Sequence, residues 1–448
     1  MIFNRNKYVK ELIDSRGNGL VKIITGIRRC GKSFLLFRLW HNWLLEHETD
    51  EDHIIEIELD NIYNSPLRKP LALLDYINSK ISDRDSTYYV ILDEVQFVEN
   101  FVEVMLSLTH VQNVDLYVTG SNSRFLSSDV VTEFRGRGEE IRVWPLTFSE
   151  YFAGVGGDIG DAWFDYYTFG GLPQVAFLKT KEKKKRYLLN LYEATYLRDI
   201  LERNSLRNPE GLKELIQVLA SAIGAPTNPN KVANTFRSTG KTEIRRDTIE
   251  RYIEYLKNAF LIERAQRYDV KGRKYINTEE KYYFADLGIR AAILGFRQQE
   301  ESHIVENILY NELRARGYFV DVGLVNVSEK ESSGKFVRRK LEVDFVLNRV
   351  PEKIYIQSAL HIPDAEKEAQ EKRPLLAIRD HFKKIIVVGD QIHRKEDENG
   401  ITTIRLYDFL RDTDFLETMW SGFLEDFKSR QTQTQVDNSK TFEVGNFF

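Results

Sequence analysis

Short runs of β-branched and aromatic residues alternate with helical patterns over the first 150 residues. The apolar runs lie at residues 20–25, 54–59, 88–92, 114–119 and 141–143. Between the first two runs, apolar residues recur every three or four positions over residues 34–45, which predicts an amphipathic helix. Alternation of strands with helices is typical of parallel layering. We therefore predict an α/β fold that begins with a parallel sheet.

The pattern changes after residue 150. Residues 150–290 are mainly helical, apart from two β-like runs at 261–268 and 281–285 on either side of a turn at 271–273. A helix predicted over residues 305–316 then leads into a second set of strands. These strands are predicted at residues 341–347, 354–360, 385–388 and 401–406. The chain thus divides into an α/β part, a helical part and a second strand-rich part.

One loop carries a phosphate-binding pattern. It matches G-x-x-x-x-G-K-[ST] and lies between an apolar strand and the amphipathic helix, the context that this pattern needs. Its residues are Gly26, Ile27, Arg28, Arg29, Cys30, Gly31, Lys32 and Ser33. Glycines let backbone N–H groups approach phosphate oxygens, while Lys32 supplies charge to the β- and γ-phosphates and Ser33 a hydroxyl ligand for Mg²⁺. We predict that this loop binds ATP with Mg²⁺, and that alkylation of Cys30 competes with ATP.

An acidic pair follows the next buried strand. Asp93 and Glu94 end the run at 88–92, and Asp93 lies 61 residues after Lys32. Asp93 is expected to hold Mg²⁺ through water, and Glu94 to act as the general base towards the attacking water. An Asp-Glu pair is also typical of an ordinary helix N-terminus, but the nearby loop favours the catalytic interpretation.

Two further polar positions complete the predicted site. Asn122 follows the run at 114–119, where a polar side chain would sense the γ-phosphate. Arg137 is a candidate for stabilising transition-state charge, in cis or from a neighbouring subunit, with a solvated basic turn equally compatible. We expect the strand order of ATPases with a catalytic glutamate, with residues 88–92 as an intervening strand.

Composition narrows the class of protein. Of 448 residues, 42% are hydrophobic and 29% charged, which excludes a disordered chain. No stretch approaches the roughly 20 apolar residues of a membrane span, and we expect a cytoplasmic protein. The single cysteine, Cys30, excludes an intramolecular disulfide and a cysteine-based metal cluster. Lys plus Arg (64) nearly balance Asp plus Glu (68), so a polyanionic partner would need a local basic face.

Taken together, these segments resemble prokaryotic AAA-type P-loop ATPases that carry a C-terminal domain of unknown function. The matching segments include TGIRRCGKS (25–33), ILDEVQ (91–96), VTGSNS (118–123), YTFGGLPQV (167–175), KYYFADLGIR (281–290), LEVDFVL (341–347) and IYIQSAL (354–360). The resemblance implies an AAA-like core, a winged-helix module and a restriction-endonuclease-like C-terminal domain. The expected regions are an ATPase core (1–150), a helical lid or linker (151–205), a winged helix (206–295), a degenerate PD-(D/E)xK-like domain (300–428) and a polar tail (429–448).

The middle region has candidate DNA contacts. Residues 231–238 and the helix at 246–258 favour a helix-turn-helix, and the two β-like runs would form its wing. Basic residues lie at the start of the second helix and on the wing, where they would contact phosphates: Arg245, Arg246, Arg251, Lys271, Arg273 and Lys274. A module that packs between domains without touching DNA is the alternative.

The C-terminal region carries an incomplete nuclease pattern. Nucleases of the PD-(D/E)xK type gather acids around Mg²⁺ and use a lysine to activate water. The corresponding residues here are Glu306, Glu342, Asp344 and Gln357. Ala359 occupies the lysine position, so we expect the fold without DNA cleavage.

Three functional hypotheses follow. The first is a Mg²⁺-dependent ATPase whose cycle drives a conformational change on DNA. The second is a slow nucleotide-dependent switch that acts on a protein partner, and the third is a nucleotide-gated nuclease, against which Ala359 argues. Assembly into a homo-oligomer is left open by the sequence.

Overall fold

The computed structural model describes residues 2–120, 134, 136–204, 206, 209–239, 244–297, 300–330, 335–349 and 352–419. The chain divides into two compact units. The first comprises Met1–Arg267 and Tyr275–Val320, and the second comprises Tyr268–Lys274 and Asp321–Phe448. Within the described residues, none of the helices is both long enough and apolar enough to cross a membrane.

A five-stranded parallel sheet forms the centre of the first unit. Its strands are β1 (Val21–Thr25), β2 (Ile54–Glu58), β3 (Tyr88–Asp93), β4 (Val114–Thr119) and β5 (Gly138–Arg142). The order is β2-β3-β4-β1-β5, and every neighbouring pair is parallel. β1 and β3 are buried along their whole length, which explains why both appear in the sequence as continuous apolar runs. The predicted α/β fold with a parallel core is confirmed.

The strand order determines which loops meet. β4 lies between β1 and β3, so β4, and not the strand 88–92 itself, is the intervening strand. The phosphate-binding loop leaves the carboxyl end of β1, and the acidic pair lies at the carboxyl end of β3. Since the strands are parallel, both ends open on the same edge of the sheet.

Helices cover the sheet and build most of the rest of the first unit. They are α1 (Asn6–Ser15), α2 (Lys32–Phe34), α3 (His41–His47), α4 (Pro70–Lys80), α5 (Phe101–Leu108), α6 (Phe148–Val155), α7 (Ile159–Phe169), α8 (Pro173–Ala176), α9 (Lys181–Leu191), α10 (Arg198–Arg203), α11 (Pro209–Ser221), α12 (Pro229–Thr239), α13 (Arg246–Asn258), α14 (Leu287–Ile293) and α15 (Glu301–Ala315). A π-helical turn, Leu35–Trp40, joins α2 to α3, and a second one, Tyr192–Leu197, joins α9 to α10. The predicted amphipathic helix over 34–45 is therefore part of one helical run from Lys32 to His47.

The second unit is built mainly on a sheet. Strands β6 (Ile262–Asp269) and β7 (Lys274–Phe284) are neighbours, and most of each strand belongs to the first unit. The hairpin segment, Tyr268–Lys274, which contains the turn and the strand ends beside it, is part of the second unit. The later elements are β8 (Phe319–Lys330), β9 (Phe336–Arg349), β10 (Glu352–Ala359), α16 (Ala365–Leu376), β11 (Lys383–Val388), β12 (Lys395–Glu396), β13 (Ile401–Arg405) and α17 (Leu406–Arg411). Their strands follow the order β12-β13-β11-β10-β9-β8.

Apolar packing fixes the hairpin segment in this second unit. Tyr268 and Val270 are buried in one cluster with Val325, Val343 and Tyr355. The backbone N–H of Val270 also donates to the carbonyl of Leu324 at 3.0 Å. The sequence did not predict β8, to which Val325 belongs. Without this strand, the packing of the hairpin segment in the second unit could not be inferred.

Candidate nucleotide-binding site

The loop after β1 adopts a conformation that only some residues tolerate. Gly26, Arg29 and Gly31 have φ values of 137°, 66° and 102°, in the left-handed half of backbone space. A Cβ on Gly26 would lie 2.1 Å from the carbonyl oxygen of Val143, so no other residue fits there without rearrangement. Alternation of right- and left-handed residues turns successive N–H groups towards one point, which makes an anion-binding concavity.

Lys32 lies inside this loop. Only 6% of the residue is exposed. Its Nζ donates to the carbonyl oxygens of Gly26 at 3.0 Å and Ile27 at 3.3 Å, so the ammonium group is held within the curve of the loop. The helical run begins at Lys32 and directs its N-terminal partial positive charge towards the same place. The geometry suits an anion with several oxygens.

Asp93, the last residue of β3, connects the phosphate-binding loop to β4. The Ser33 hydroxyl donates to Asp93 Oδ2 at 2.8 Å, and the Thr119 hydroxyl donates to Asp93 Oδ1. Asp93 is buried, with 6% of its surface exposed. Burial raises the pKa of its carboxyl above the usual value, and the hydrogen bonds from Thr119 and Ser33 oppose that rise.

Glu94 is oriented by an unusual backbone conformation. Its φ is 55° and its ψ 49°, a left-handed conformation that a non-glycine residue adopts at some energetic cost. Its backbone N–H donates to the Thr119 hydroxyl at 3.0 Å, and its side chain accepts a hydrogen bond from Gln96. Thr119 therefore bonds to both acidic residues. Sequence inspection missed Thr119, although its place at the end of the neighbouring strand was a usable signal.

A cavity of about 510 Å³ opens in front of these groups. Lys32, Ser33, Asp93 and Glu94 line it together with segments that are remote in the sequence. Those segments contribute Ile2, Phe3, Arg5, Asp60, Phe97, Leu146, Pro173, Gln174 and Phe177. Much of this part is apolar and aromatic, while the loop side is charged. Sequence inspection found the charged side only.

Comparison with known proteins assigns the region that contains this site to a protein family. Residues 18–152 match the family described as AAA domain, and residues 160–300 match a Domain of unknown function (DUF8612). An uncharacterized protein of Haemophilus influenzae is 30% identical over 414 residues, which make up 91% of this chain and 98% of the Haemophilus chain. The chain carries an AAA domain and belongs to the family of this Haemophilus protein.

Two more proteins are similar to this chain. An uncharacterized protein of Methanocaldococcus jannaschii is 27% identical over 391 residues, which cover 85% of this chain and 82% of that protein. The solved Walker-type ATPase of Pyrococcus abyssi is 18% identical, with a TM-score of 0.44 over 65% of this chain and 96% of its own. An overall similarity of that size says nothing about function.

Two predicted residues of the AAA domain remain, Asn122 and Arg137. Asn122 lies outside the described residues. Arg137 directly precedes β5, whose first residue, Gly138, pairs with Val21 at the start of β1. Arg137 is therefore at the edge of the sheet opposite the loop, where its guanidinium lies 3.4 Å from His110. The predicted action of Arg137 in cis does not fit this position; action from a neighbouring copy stays a prediction.

The predicted DNA contacts are exposed but fall in two different surroundings. Arg245, Arg246 and Arg251 lie exposed around the start of α13, and Arg246 pairs with Glu250 at 2.8 Å. The residues of the predicted wing, Lys271, Arg273 and Lys274, are also exposed, but they belong to the hairpin segment of the second unit. The Lys271 ammonium donates to the carbonyl of Asn326 at 2.8 Å.

The predicted nuclease residues have partners of their own. Glu306 belongs to the first unit and is buried, with its carboxylate 2.8 Å from Lys281 Nζ and 2.6 Å from the hydroxyl of Tyr283. Burial acts to raise the pKa of Glu306, but the Lys281 charge and hydrogen bonds from His303, Lys281 and Tyr283 hold it below the usual value. Glu306 is thus part of a buried ion pair.

The other three belong to the second unit. Asp344 accepts the backbone N–H of Ser358 at 2.8 Å, and Gln357 donates to Glu371 at 3.2 Å, while Glu342 is half-buried on the same strand as Asp344. Over the described part of the chain, no group of three or more His, Cys, Asp or Glu residues could hold a metal ion.

Proposed function

We propose that the AAA domain binds ATP with Mg²⁺ and hydrolyses it. The observation that carries this proposal is the hydrogen-bonded connection from Ser33 through Asp93 to Thr119 and Glu94, beside the buried Lys32. It joins a phosphate-binding loop to a metal-binding carboxylate and to a base on one edge of the sheet. The predicted roles of these residues are compatible with where they lie.

Each residue has a task in this proposal. The loop amides and the Lys32 ammonium bind the β- and γ-phosphates, and the Ser33 hydroxyl and Asp93 carboxylate would hold Mg²⁺, directly and through water respectively. Mg²⁺, when bound with ATP, neutralises charge on the phosphate oxygens. Glu94 orients the attacking water and accepts its proton. A site with one carboxylate and one hydroxyl is typical of Mg²⁺ that also binds phosphates.

The test is ATP hydrolysis by the full chain, with and without Mg²⁺. Lys32→Ala is expected to abolish nucleotide binding, because it removes the buried charge. Glu94→Gln is expected to bind ATP as tightly as the wild type and to reduce turnover by at least about a hundredfold. Glu99→Gln, an exposed glutamate five positions later, is the control. Normal hydrolysis by Glu94→Gln would remove Glu94 from its role, and failure of the wild type to bind ATP would overturn the proposal.

We further propose DNA as the partner on which the ATP cycle acts. The exposed arginines around α13 (Arg245, Arg246 and Arg251) support it, because clustered guanidinium groups bind backbone phosphates. The exposed lysines and arginine of the hairpin segment add charge, although this segment is held by the second unit. The proposal therefore depends mainly on α13.

The test compares ATP hydrolysis with and without single- and double-stranded DNA at low salt. Stimulation by DNA is expected, and Arg251→Glu should weaken it, whereas Arg84→Glu, an exposed arginine outside both regions, should not. The DNA proposal would be overturned if DNA left the ATP hydrolysis rate unchanged and the protein bound no DNA either with or without nucleotide. That outcome would favour the switch that acts on a protein partner.

A further inference from the structure

The phosphate-binding loop is held by a helix that is far away in the sequence. The hydroxyl of Tyr196 donates to the backbone carbonyl of Arg28 at 2.6 Å across 168 positions of the chain. The Arg28 side chain lies 2.8 Å from the carboxylate of Asp199, three residues after Tyr196. One face of one helix thus contacts both the backbone and the side chain of a single loop residue.

The Tyr196 contact is built into the interior. Tyr196 is 3% exposed, and burial raises the pKa of its hydroxyl well above the usual value, so the group remains a donor. Without this hydrogen bond, the buried hydroxyl would be left without a partner, which costs free energy. The carbonyl that it fixes lies next to Arg29, whose φ of 66° is part of the anion-binding conformation. Holding this carbonyl therefore favours the curved form of the loop.

The helix is itself irregular where the contact is made. Tyr192–Leu197 is a π-helical turn within the run from α9 through α10. Single π-helical turns change the direction of the side chains that follow and occur frequently at functional sites. Tyr192, in the same turn, lines a separate surface groove together with Leu189 and Glu193. The two tyrosines of this turn therefore have different surroundings.

We propose that Tyr196 and Asp199 are positioning residues for the phosphate-binding loop, and that bound nucleotide and the π-helical turn stabilise each other. The inference rests on the proposed binding of ATP. Nothing in the loop pattern or in the AAA domain at 18–152 points to residues 196 and 199, which lie beyond its end. If the helix favours the nucleotide-binding form of the loop, bound nucleotide must favour the contact by the same free energy.

Matched variants separate this role from simple packing. Tyr196→Phe removes one hydroxyl and keeps the ring, and its control is Tyr192→Phe in the same turn. Asp199→Asn removes the charge beside Arg28, and its control is Glu202→Gln, one turn further along α10, where the carboxylate pairs with exposed Arg198. Asp199 is partly exposed, so Asp199→Asn remains informative if Tyr196→Phe folds poorly.

The measurements are ATP dissociation constants, kcat and KM, and hydrogen exchange of residues 192–203 with and without ATP and Mg²⁺. We expect Tyr196→Phe to weaken ATP binding about fivefold, the equivalent of one hydrogen bond, and Asp199→Asn to weaken it about threefold, the equivalent of a partly exposed ion pair, while both controls change it less than about twofold. The effect should appear in KM more than in kcat. In the wild type, ATP should slow exchange over residues 192–203, and Tyr196→Phe should reduce that protection.

The outcomes distinguish this inference from the proposed function. If the wild type binds no ATP, the proposed function is wrong and the inference falls with it. If the wild type binds ATP, while both variants bind it equally well and exchange over residues 192–203 ignores ATP, only the positioning role is wrong. Equal losses in Tyr196→Phe and Tyr192→Phe would also overturn it, since they would indicate loss of packing alone.

Discussion

Ser33 and Asp93 are 60 residues apart in the chain, yet the hydroxyl of one donates to the carboxylate of the other at 2.8 Å. The strand that separates β1 from β3 supplies the second donor, Thr119. The site thus depends on three parallel strands that end at one edge. A substitution at the end of any one of these strands is expected to change the hydrogen bonds at the ends of the other two.

Thr119→Val is the most informative substitution at this edge, because valine has nearly the same shape as threonine and lacks the hydroxyl. It leaves the Glu94 N–H and Asp93 Oδ1 without the hydroxyl that bonds to both. We expect a loss of about 1–3 kcal/mol in the free energy of unfolding, together with slower ATP hydrolysis. Urea unfolding and a turnover assay measure the two effects. Thr109→Val, whose hydroxyl bonds to Leu106 at the end of a helix, is the control, and an equal loss there would contradict this role.

Gly26→Ala is expected to destabilise the whole first unit. Its Cβ would lie 2.1 Å from the Val143 carbonyl, and φ is 137°. Gly19→Ala is a fair comparison, since Gly19 also has a positive φ but nothing within 4 Å of the added carbon. Strain alone costs about 1 kcal/mol, and the clash should add more than about 2 kcal/mol. Similar unfolding midpoints for the two variants would mean that the backbone adjusts freely.

Cys30 is expected to react slowly with thiol reagents in the folded chain. The sequence led us to expect alkylation that competes with ATP, but Cys30 has no exposed surface. A reagent reaches its Sγ only when the loop opens or the protein unfolds. Maleimide labelling should therefore be slow in buffer and fast in urea. Rapid labelling of the native protein would show that the loop opens often.

The pH dependence of stability is expected to depend on Asp286. Its carboxylate accepts the backbone N–H groups of Gly171 at 2.8 Å and Ile289 at 2.9 Å. Burial raises its pKa to about 6, against the effect of these bonds. Because the folded-state pKa lies above the unfolded value of about 4, its stabilising contribution is full below about pH 4 and is lost as the pH rises through about 6.

Asp286→Asn removes this dependence. Between about pH 5 and pH 7, the stability advantage of the wild type over the variant should shrink by on the order of 1 kcal/mol. Urea unfolding at several pH values measures it, with Asp158→Asn as the control, because this change removes an exposed carboxylate charge and keeps the helix cap. Curves that stay parallel for wild type and Asp286→Asn would assign the dependence to other groups.

The charged half of the site was predictable because each part follows a strand within a few residues. The loop at 26–33 and the pair Asp93–Glu94 are local patterns, and parallel strands bring their ends together. Phe177 and Tyr196 were not predictable, since tertiary packing brings them to the loop from helices outside the sheet. Such contacts leave no local pattern in a single sequence.

Arg137 illustrates a different point. Its short distance in sequence from Asn122 made it a candidate for the site. Because Arg137 precedes β5, it lies at the amino end of a parallel strand, while the loop follows the carboxyl end of β1. The predicted run at 141–143 also begins after Arg137, so the predicted parallel layering by itself indicates this position at the amino end of the strand.

The hairpin segment affects how the chain can be divided into fragments for expression. The chain passes between the two units three times, after Arg267, after Lys274 and after Val320. A fragment that stops at Val320 would keep Tyr268 and Val270 while losing Val325, Val343 and Tyr355, the residues that bury them. The apolar surface that Tyr268 and Val270 would expose in this fragment would favour aggregation. Expression of either unit as a well-behaved separate protein therefore requires a redesigned hairpin.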